Sequence, residues 1–127
     1  FIISDVLNTP RQKIFEIKNC VIVSGTGISP TASITFVYKN KEYQAVGSGD
    51  GGYDAFMNAL RTIAPKLKII IPKLEDYEVR IPPGGKTNAL VETKITWANG
   101  MQTIGVKSDQ VMAAIEATEK MLNRILS

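Results

Sequence analysis

The sequence predicts an α+β domain made of two tandem βββα modules, each with an antiparallel sheet and a helix packed on one face. Three observations support this fold class. Apolar and polar residues alternate in several short segments, which is typical of half-buried strands. Two longer segments carry apolar residues at helical spacing. The two halves also match each other at a constant offset, as Phe36 and Ile95 illustrate.

The first module is predicted over about residues 14–68, after a lead-in of residues 1–13. β-branched and aromatic residues dominate from Ile14 to Val23, which predicts a first strand ended by the glycines that follow. The second strand places one residue in two on an apolar face: Ala32, Ile34, Phe36 and Tyr38. A turn at 39–41 leads to a third strand from Glu42 to Gly47, and a helix follows the glycine-rich loop and stops near Pro65.

The second module is predicted over about residues 74–127. Its first strand alternates Tyr77, Val79 and Ile81 with charged residues, and a long second strand follows over residues 89–97. Asn99-Gly100 is a strong hairpin signal, so we expect a return strand that ends at Gly105. Ser108 or Asp109 is the predicted cap of the last helix, whose apolar stripe is Val111, Ile115, Leu122 and Ile125.

An internal repeat relates the modules. The matched pairs are Phe36 and Ile95, Tyr38 and Trp97, Asn40 and Asn99, Asp50 and Asp109, and Ala55 and Ala114, each 59 residues apart. One three-stranded sheet with one helix buries little apolar surface alone, so we expect the halves to pack together. The alternative is chance similarity between two ordinary α+β units.

Composition excludes many functions. The chain has 127 residues, no histidine and a single cysteine, Cys20, so disulfides, His or paired-Cys zinc sites, catalytic triads and Cys-His dyads lack their key residues. Cys20 falls within a strand and is interpreted as a small core residue. The net charge of +3 is too small and dispersed to indicate nucleic acid as a partner. We therefore expect no catalytic residue, metal or cofactor in this domain.

No apolar run approaches the roughly 20 residues that span a bilayer, and a signal-peptide pattern is missing at the start. We accordingly expect a cytoplasmic protein without a membrane partner. Because the chain begins with Phe1 rather than Met, we also expect a segment of a longer polypeptide.

The segment Gly47–Ala55 is the most informative for function. Its four glycines lead from a strand into a helix, where backbone amides and the helix dipole favour a small anion such as a carboxylate. No Gly-Lys-Ser/Thr or βαβ unit supports a nucleotide site. The Gly49–Gly52 segment fits the GXXG pattern of RNA-binding modules, but a strand precedes it, and Asp50 and Asp54 would repel phosphates.

Two readings stay open for the residues near this loop. Asp54 either stabilises the helix start or receives an ammonium group. The apolar residues Leu74, Tyr77, Ile81 and Val91 either belong to the core or form a pocket for one aliphatic side chain, with Tyr53 as its lid.

These motifs resemble those of the C-terminal regulatory domain of α-isopropylmalate and citramalate synthases. Residues 49–55 are similar to its Gly-x-Gly-Pro-Val-Asp-Ala motif, and residues 105–111 to its Gly-Val-Ser-Ser-Asp-Ile-Ile motif. The resemblance covers about residue 14 to the end. Four positions depart from the pattern: Gly52, Tyr53, Lys107 and Met112. Tyr53 replaces a small aliphatic residue and favours isoleucine over leucine as the ligand, as in isoleucine-inhibited citramalate synthases.

The resemblance implies a homodimeric domain that binds an end-product amino acid and inhibits an acyltransferase, which condenses acetyl-CoA with an α-keto acid, pyruvate being favoured. The divalent metal and acetyl-CoA belong to the absent catalytic domain. In the first hypothesis the amides of Gly51 and Gly52 receive the α-carboxylate, Asp54 receives the ammonium group, and the side chain is enclosed by Tyr53, Leu74, Tyr77, Ile81 and Val91. The alternatives are a leucine-binding domain of an α-isopropylmalate synthase and a plain dimerisation module without ligand.

Overall fold

The computed structural model describes residues 13–81 and 90–126. The first module consists of β1 (Phe15–Gly25), β2 (Ile28–Tyr38), β3 (Lys41–Ser48) and α1 (Gly52–Ile63), followed by a short 3-10 helix (Ala64–Leu67). The second consists of β4 (Leu74–Arg80), β5 (Val91–Trp97), β6 (Gln102–Lys107) and α2 (Gln110–Leu126). The predicted α+β class and the two tandem βββα modules are confirmed.

Each module has a three-stranded antiparallel sheet in chain order, β1–β2–β3 and β4–β5–β6. The centres of the two sheets are equivalent. Phe36 on β2 lies between Ile17 and Tyr43, and its repeat mate Ile95 on β5 lies between Tyr77 and Thr103. Both first strands have a register shift, between Ile17 and Asn19 on β1 and between Leu74 and Asp76 on β4.

Several predicted boundaries were wrong. The first strand continues past Val23 to Gly25, because Gly27 (φ 82°) forms the hairpin turn and Gly25 still pairs with Ile28. The return strand continues past Gly105, because Val106 and Lys107 pair with the start of β5. The lead-in residues 1–12, the Pro-Gly segment 82–85 and Ala89 lie outside the described residues.

One hydrophobic core joins the modules. It contains the repeated pairs Phe36 and Ile95, and Ala55 and Ala114, all fully buried. Helix α1 packs on β2 and β3, and α2 packs on β5 and β6. Cys20 is half-buried against this core, and burial raises the pKa of its thiol.

Close helix–sheet contact depends on one glycine in each module. A Cβ atom at Gly47 would overlap the backbone of Ala59, and one at Gly105 would overlap the carbonyl of Ala113. Glycine at these two positions lets the last strand of each module lie directly against its helix.

Candidate functional site

The glycine-rich loop lies tightly against the start of α1. A Cβ atom at Gly49 would come within 2.7 Å of Asp54 Cβ and 2.8 Å of the Ala55 nitrogen. The Gly49 amide donates to the Pro30 carbonyl at 3.1 Å, and Asn58 Nδ2 donates to the Ser48 carbonyl at 2.7 Å. The loop therefore holds the first turn of α1 in a defined position at the surface.

The two helix starts differ in how their amides are satisfied. Asp109 Oδ1 accepts hydrogen bonds from the amides of Val111 (2.7 Å) and Met112 (3.1 Å), so Asp109 and not Ser108 caps α2. At α1 the N-cap is Gly51, and among the described residues no side chain bonds to the first amides. The start of α1 thus offers free N–H donors at the positive end of a helix dipole.

A cleft of about 500 Å³ opens at this helix start. It lies between α1, the first residues of α2 and strand β4. Its lining residues are Gly51, Gly52, Tyr53, Asp54, Met57, Asn58, Arg61, Leu74, Tyr77, Gln110 and Val111. The cleft contains six of the eight predicted site residues.

Ile81 and Val91 are not among the residues that line the cleft. Ile81 follows β4 and is 66% exposed, and Val91 begins β5 opposite Lys107. Both extend the face of the second sheet that carries Tyr77, but they lie farther along it. The structure thus places them beside the cleft and not in it.

Tyr53, the lid suggested by the sequence, lies in the wall of the cleft and contacts both modules. Its ring packs against Phe56 (centroids 5.9 Å apart) and Tyr77 (5.6 Å). Its hydroxyl is 2.6 Å from Thr118 Oγ1 on α2. Burial raises the pKa of the Tyr53 hydroxyl above its ordinary value.

The polar wall of the cleft comes from one face of α1. Asp54 and Arg61 are both exposed there, and neither makes an ion pair with another described residue. On the opposite side lie Leu74 and Tyr77, and Gln110 Nε2 is 3.5 Å from the Tyr77 hydroxyl. The cleft therefore combines free amide donors, one carboxylate and one guanidinium with an apolar wall.

Sequence reasoning missed five lining residues: Met57, Asn58, Arg61, Gln110 and Val111. Two signals predict them in retrospect. The first three follow Asp54 at helical spacings of three, four and seven, which places them on its face of α1. The last two are the 59-residue repeat mates of Gly51 and Gly52. A Cβ on Gly52 would lie 3.5 Å from Val111 Cγ2, so these mates are neighbours in space.

Within residues 13–81 and 90–126, no group of three or more His, Cys, Asp or Glu side chains is arranged to hold a metal ion. In the same ranges no helix is both long and apolar enough to cross a bilayer.

Comparisons with known proteins give a consistent result. Residues 1–126 match the family described as the LeuA allosteric (dimerisation) domain. The putative (R)-citramalate synthase CimA of Methanosarcina mazei is 35% identical over 125 residues, covering 95% of this chain and 25% of that protein. The (R)-citramalate synthase CimA of Methanocaldococcus jannaschii is 28% identical, covering 99% of this chain and 26% of that protein. The probable 2-isopropylmalate synthase of Methanopyrus kandleri is 28% identical, covering 87% and 22%. The chain thus spans about a quarter of the length of these relatives.

Proposed function

The chain belongs to the LeuA allosteric (dimerisation) domain family, and from this premise we propose that it is a feedback-inhibition domain that binds a branched-chain amino acid. Isoleucine is the favoured ligand and leucine the next. One observation carries the proposal: the cleft joins an uncapped helix start, an unpaired carboxylate and an apolar wall. An amino acid has the three complementary parts.

Each part of the ligand has a partner in this proposal. The α-carboxylate accepts hydrogen bonds from the amides at Gly51 and Gly52, where the helix dipole also favours negative charge. Asp54 receives the ammonium group through a charge-assisted hydrogen bond. The aliphatic side chain packs against Tyr53, Leu74 and Tyr77. Isoleucine and leucine differ only in branch position, so the shape of this wall discriminates them by about 1–3 kcal/mol at most.

The enzyme regulated in this proposal is an acetyl-CoA-dependent citramalate synthase of branched-chain amino-acid biosynthesis, an acyltransferase that uses pyruvate as its keto acid. The names of the Methanosarcina and Methanocaldococcus relatives support it. The Methanopyrus relative supports the alternative, a leucine-binding domain of a 2-isopropylmalate synthase. In both cases the catalytic domain is a further partner.

A homodimer is the proposed assembly, and strand β4 offers a surface for it. Val79 lies directly opposite the buried Thr93, so it belongs to the inner face of the second sheet, yet it is 40% exposed. Ile81 extends this face. The face is open because α2 packs on β5 and β6. A second copy packed here would cover apolar surface next to the cleft. The same surface would equally serve the alternative, a plain dimerisation module without ligand.

Calorimetry with L-isoleucine and L-leucine tests the ligand. We expect isoleucine to bind more tightly, and Asp54→Asn to weaken binding by about 10- to 100-fold, since a hydrogen bond to a charged group contributes about 1.5–3 kcal/mol. Asp76→Asn is the matched control, because Asp76 is an exposed aspartate that does not line the cleft. Absence of heat with both amino acids, together with a dimer that neither changes in sedimentation, would establish the plain dimerisation module instead.

A further inference from the structure

We propose that helix α2 carries the effect of ligand binding from the cleft to the start of strand β1, with Thr118 and Asn123 as the positioning residues at its two contacts. This inference rests on the proposed function, because it needs a ligand in the cleft. It concerns the hydrogen bonds that α2, an element of the second module, makes with the first module.

The contact on the cleft side is a short chain of hydrogen bonds. The Tyr53 hydroxyl, at the wall of the cleft, is 2.6 Å from Thr118 Oγ1. Thr118 Oγ1 also donates to the Ala114 carbonyl one turn earlier on α2, at 2.8 Å. Thr118 is fully buried, so water does not replace these bonds when they break. A ligand that displaces the Tyr53 ring therefore acts on the middle of α2.

The other contact holds the edge of β1 that does not pair with β2. Asn123 Oδ1 accepts from the amides of Ile14 and Phe15, both at 2.8 Å, and Asn123 Nδ2 donates to the Phe15 carbonyl at 2.7 Å. Glu119 Oε2 accepts from the Ile17 amide at 2.8 Å. Side chains of α2 thus satisfy backbone groups of β1 that a neighbouring strand otherwise would.

The two contacts are mechanically linked by the helix between them. Thr118 and Asn123 are five residues apart, which is about 7.5 Å along a helix axis at 1.5 Å per residue. Both lie in one turn and a half of α2, whose buried residues pack on β5 and β6. A shift or rotation of α2 at Thr118 consequently moves Asn123 and Glu119 and alters their hydrogen bonds to the start of β1.

Hydrogen exchange on the complete chain tests the route. At saturating L-isoleucine we expect the protection of the Ile14, Phe15 and Ile17 amides to change by about fivefold or more, the lower end of typical allosteric couplings. In Thr118→Val, which keeps the side-chain shape but removes the hydroxyl, isoleucine should bind within twofold of wild type. The change at the amides of Ile14, Phe15 and Ile17 should fall below twofold.

A matched pair on α2 provides the control. Glu119 accepts from a β1 amide of the other module, whereas Glu116 accepts from the Val106 amide within its own module, at 2.7 Å. Glu119→Ala should abolish the response at Ile17, and Glu116→Ala should preserve it. Should Thr118→Val not fold, Thr118→Ala removes the same hydroxyl without touching the cleft.

The outcomes separate this inference from the proposed function. If neither isoleucine nor leucine produces heat or an exchange change at Gly52–Asp54, the proposed function fails. If isoleucine binds and the amides of Ile14, Phe15 and Ile17 do not respond in wild type, or respond fully in Thr118→Val, only the route through α2 is refuted.

Discussion

Replacing Asn123 by alanine is expected to lower the free energy of unfolding by about 1–2.5 kcal/mol. The side chain makes three hydrogen bonds with Ile14 and Phe15, at 2.7–2.8 Å. At about 0.5–1.5 kcal/mol each, their loss costs about 1.5–4.5 kcal/mol. The higher helix propensity of alanine returns about 0.6 kcal/mol. The site is partly buried, so some water can reach the freed amides, which keeps the cost in the lower half of this range.

Urea unfolding followed by circular dichroism measures this change, at a fixed protein concentration because a dimer unfolds in a concentration-dependent way. Asn58→Ala is the matched control: Asn58 is also a helical asparagine, but it makes a single exposed hydrogen bond, to the Ser48 carbonyl at 2.7 Å. We expect its effect to stay within about 0.5 kcal/mol. Equal stabilities of Asn123→Ala and Asn58→Ala would refute the view that Asn123 fastens the two modules together.

Two further predictions concern glycines and helix caps. Gly105→Ala should destabilise the fold by about 3 kcal/mol or more, because its Cβ would overlap the Ala113 carbonyl. Gly51→Ala should keep the melting temperature within a few degrees, because nothing lies within 4 Å of a Cβ there. Thermal unfolding compares the two variants. Asp109→Ala should lower the free energy of unfolding by about 1 kcal/mol through loss of the α2 cap. The same change at its repeat mate, Asp50→Ala, should cost close to nothing, since no side chain of the described residues caps α1. Equal losses of stability in chemical denaturation would contradict this asymmetry.

Much of the fold was predictable because local signals and the repeat agreed. Alternation placed Phe36 on the apolar face of β2, and the repeat pairs Phe36 with Ile95 on β5; both residues are fully buried. Asn99-Gly100 marked its hairpin, and Gly100 indeed has a positive φ of 85°. The strand ends were less predictable, because pairing with a neighbour decides them: Val106 and Lys107 stay in β6 only because β5 lies beside them.

The site was predictable at the glycine-rich loop and less so beyond it. Gly51, Gly52 and Asp54 sit together because they adjoin in sequence, and Leu74 and Tyr77 reach them through the packing of the modules. How far along the second sheet the cleft extends depends on the angle between modules, which a sequence pattern does not encode, and this is why Ile81 and Val91 were placed in it. The contact of Tyr53 with Thr118 likewise joins two elements 65 residues apart.

Because the two helices are capped differently, the two modules of the repeat differ in how their helix starts depend on the solution. The carboxylate at the start of α2 is tethered by the chain, since Asp109 supplies it, so its local concentration is constant whatever the solution contains. The start of α1 has no such side-chain cap among the described residues. In the proposed function a diffusing ligand takes this place, and its occupancy follows mass action. Under the proposed function, one half of the duplicated fold thus serves as an internal reference, and the other responds to metabolite supply.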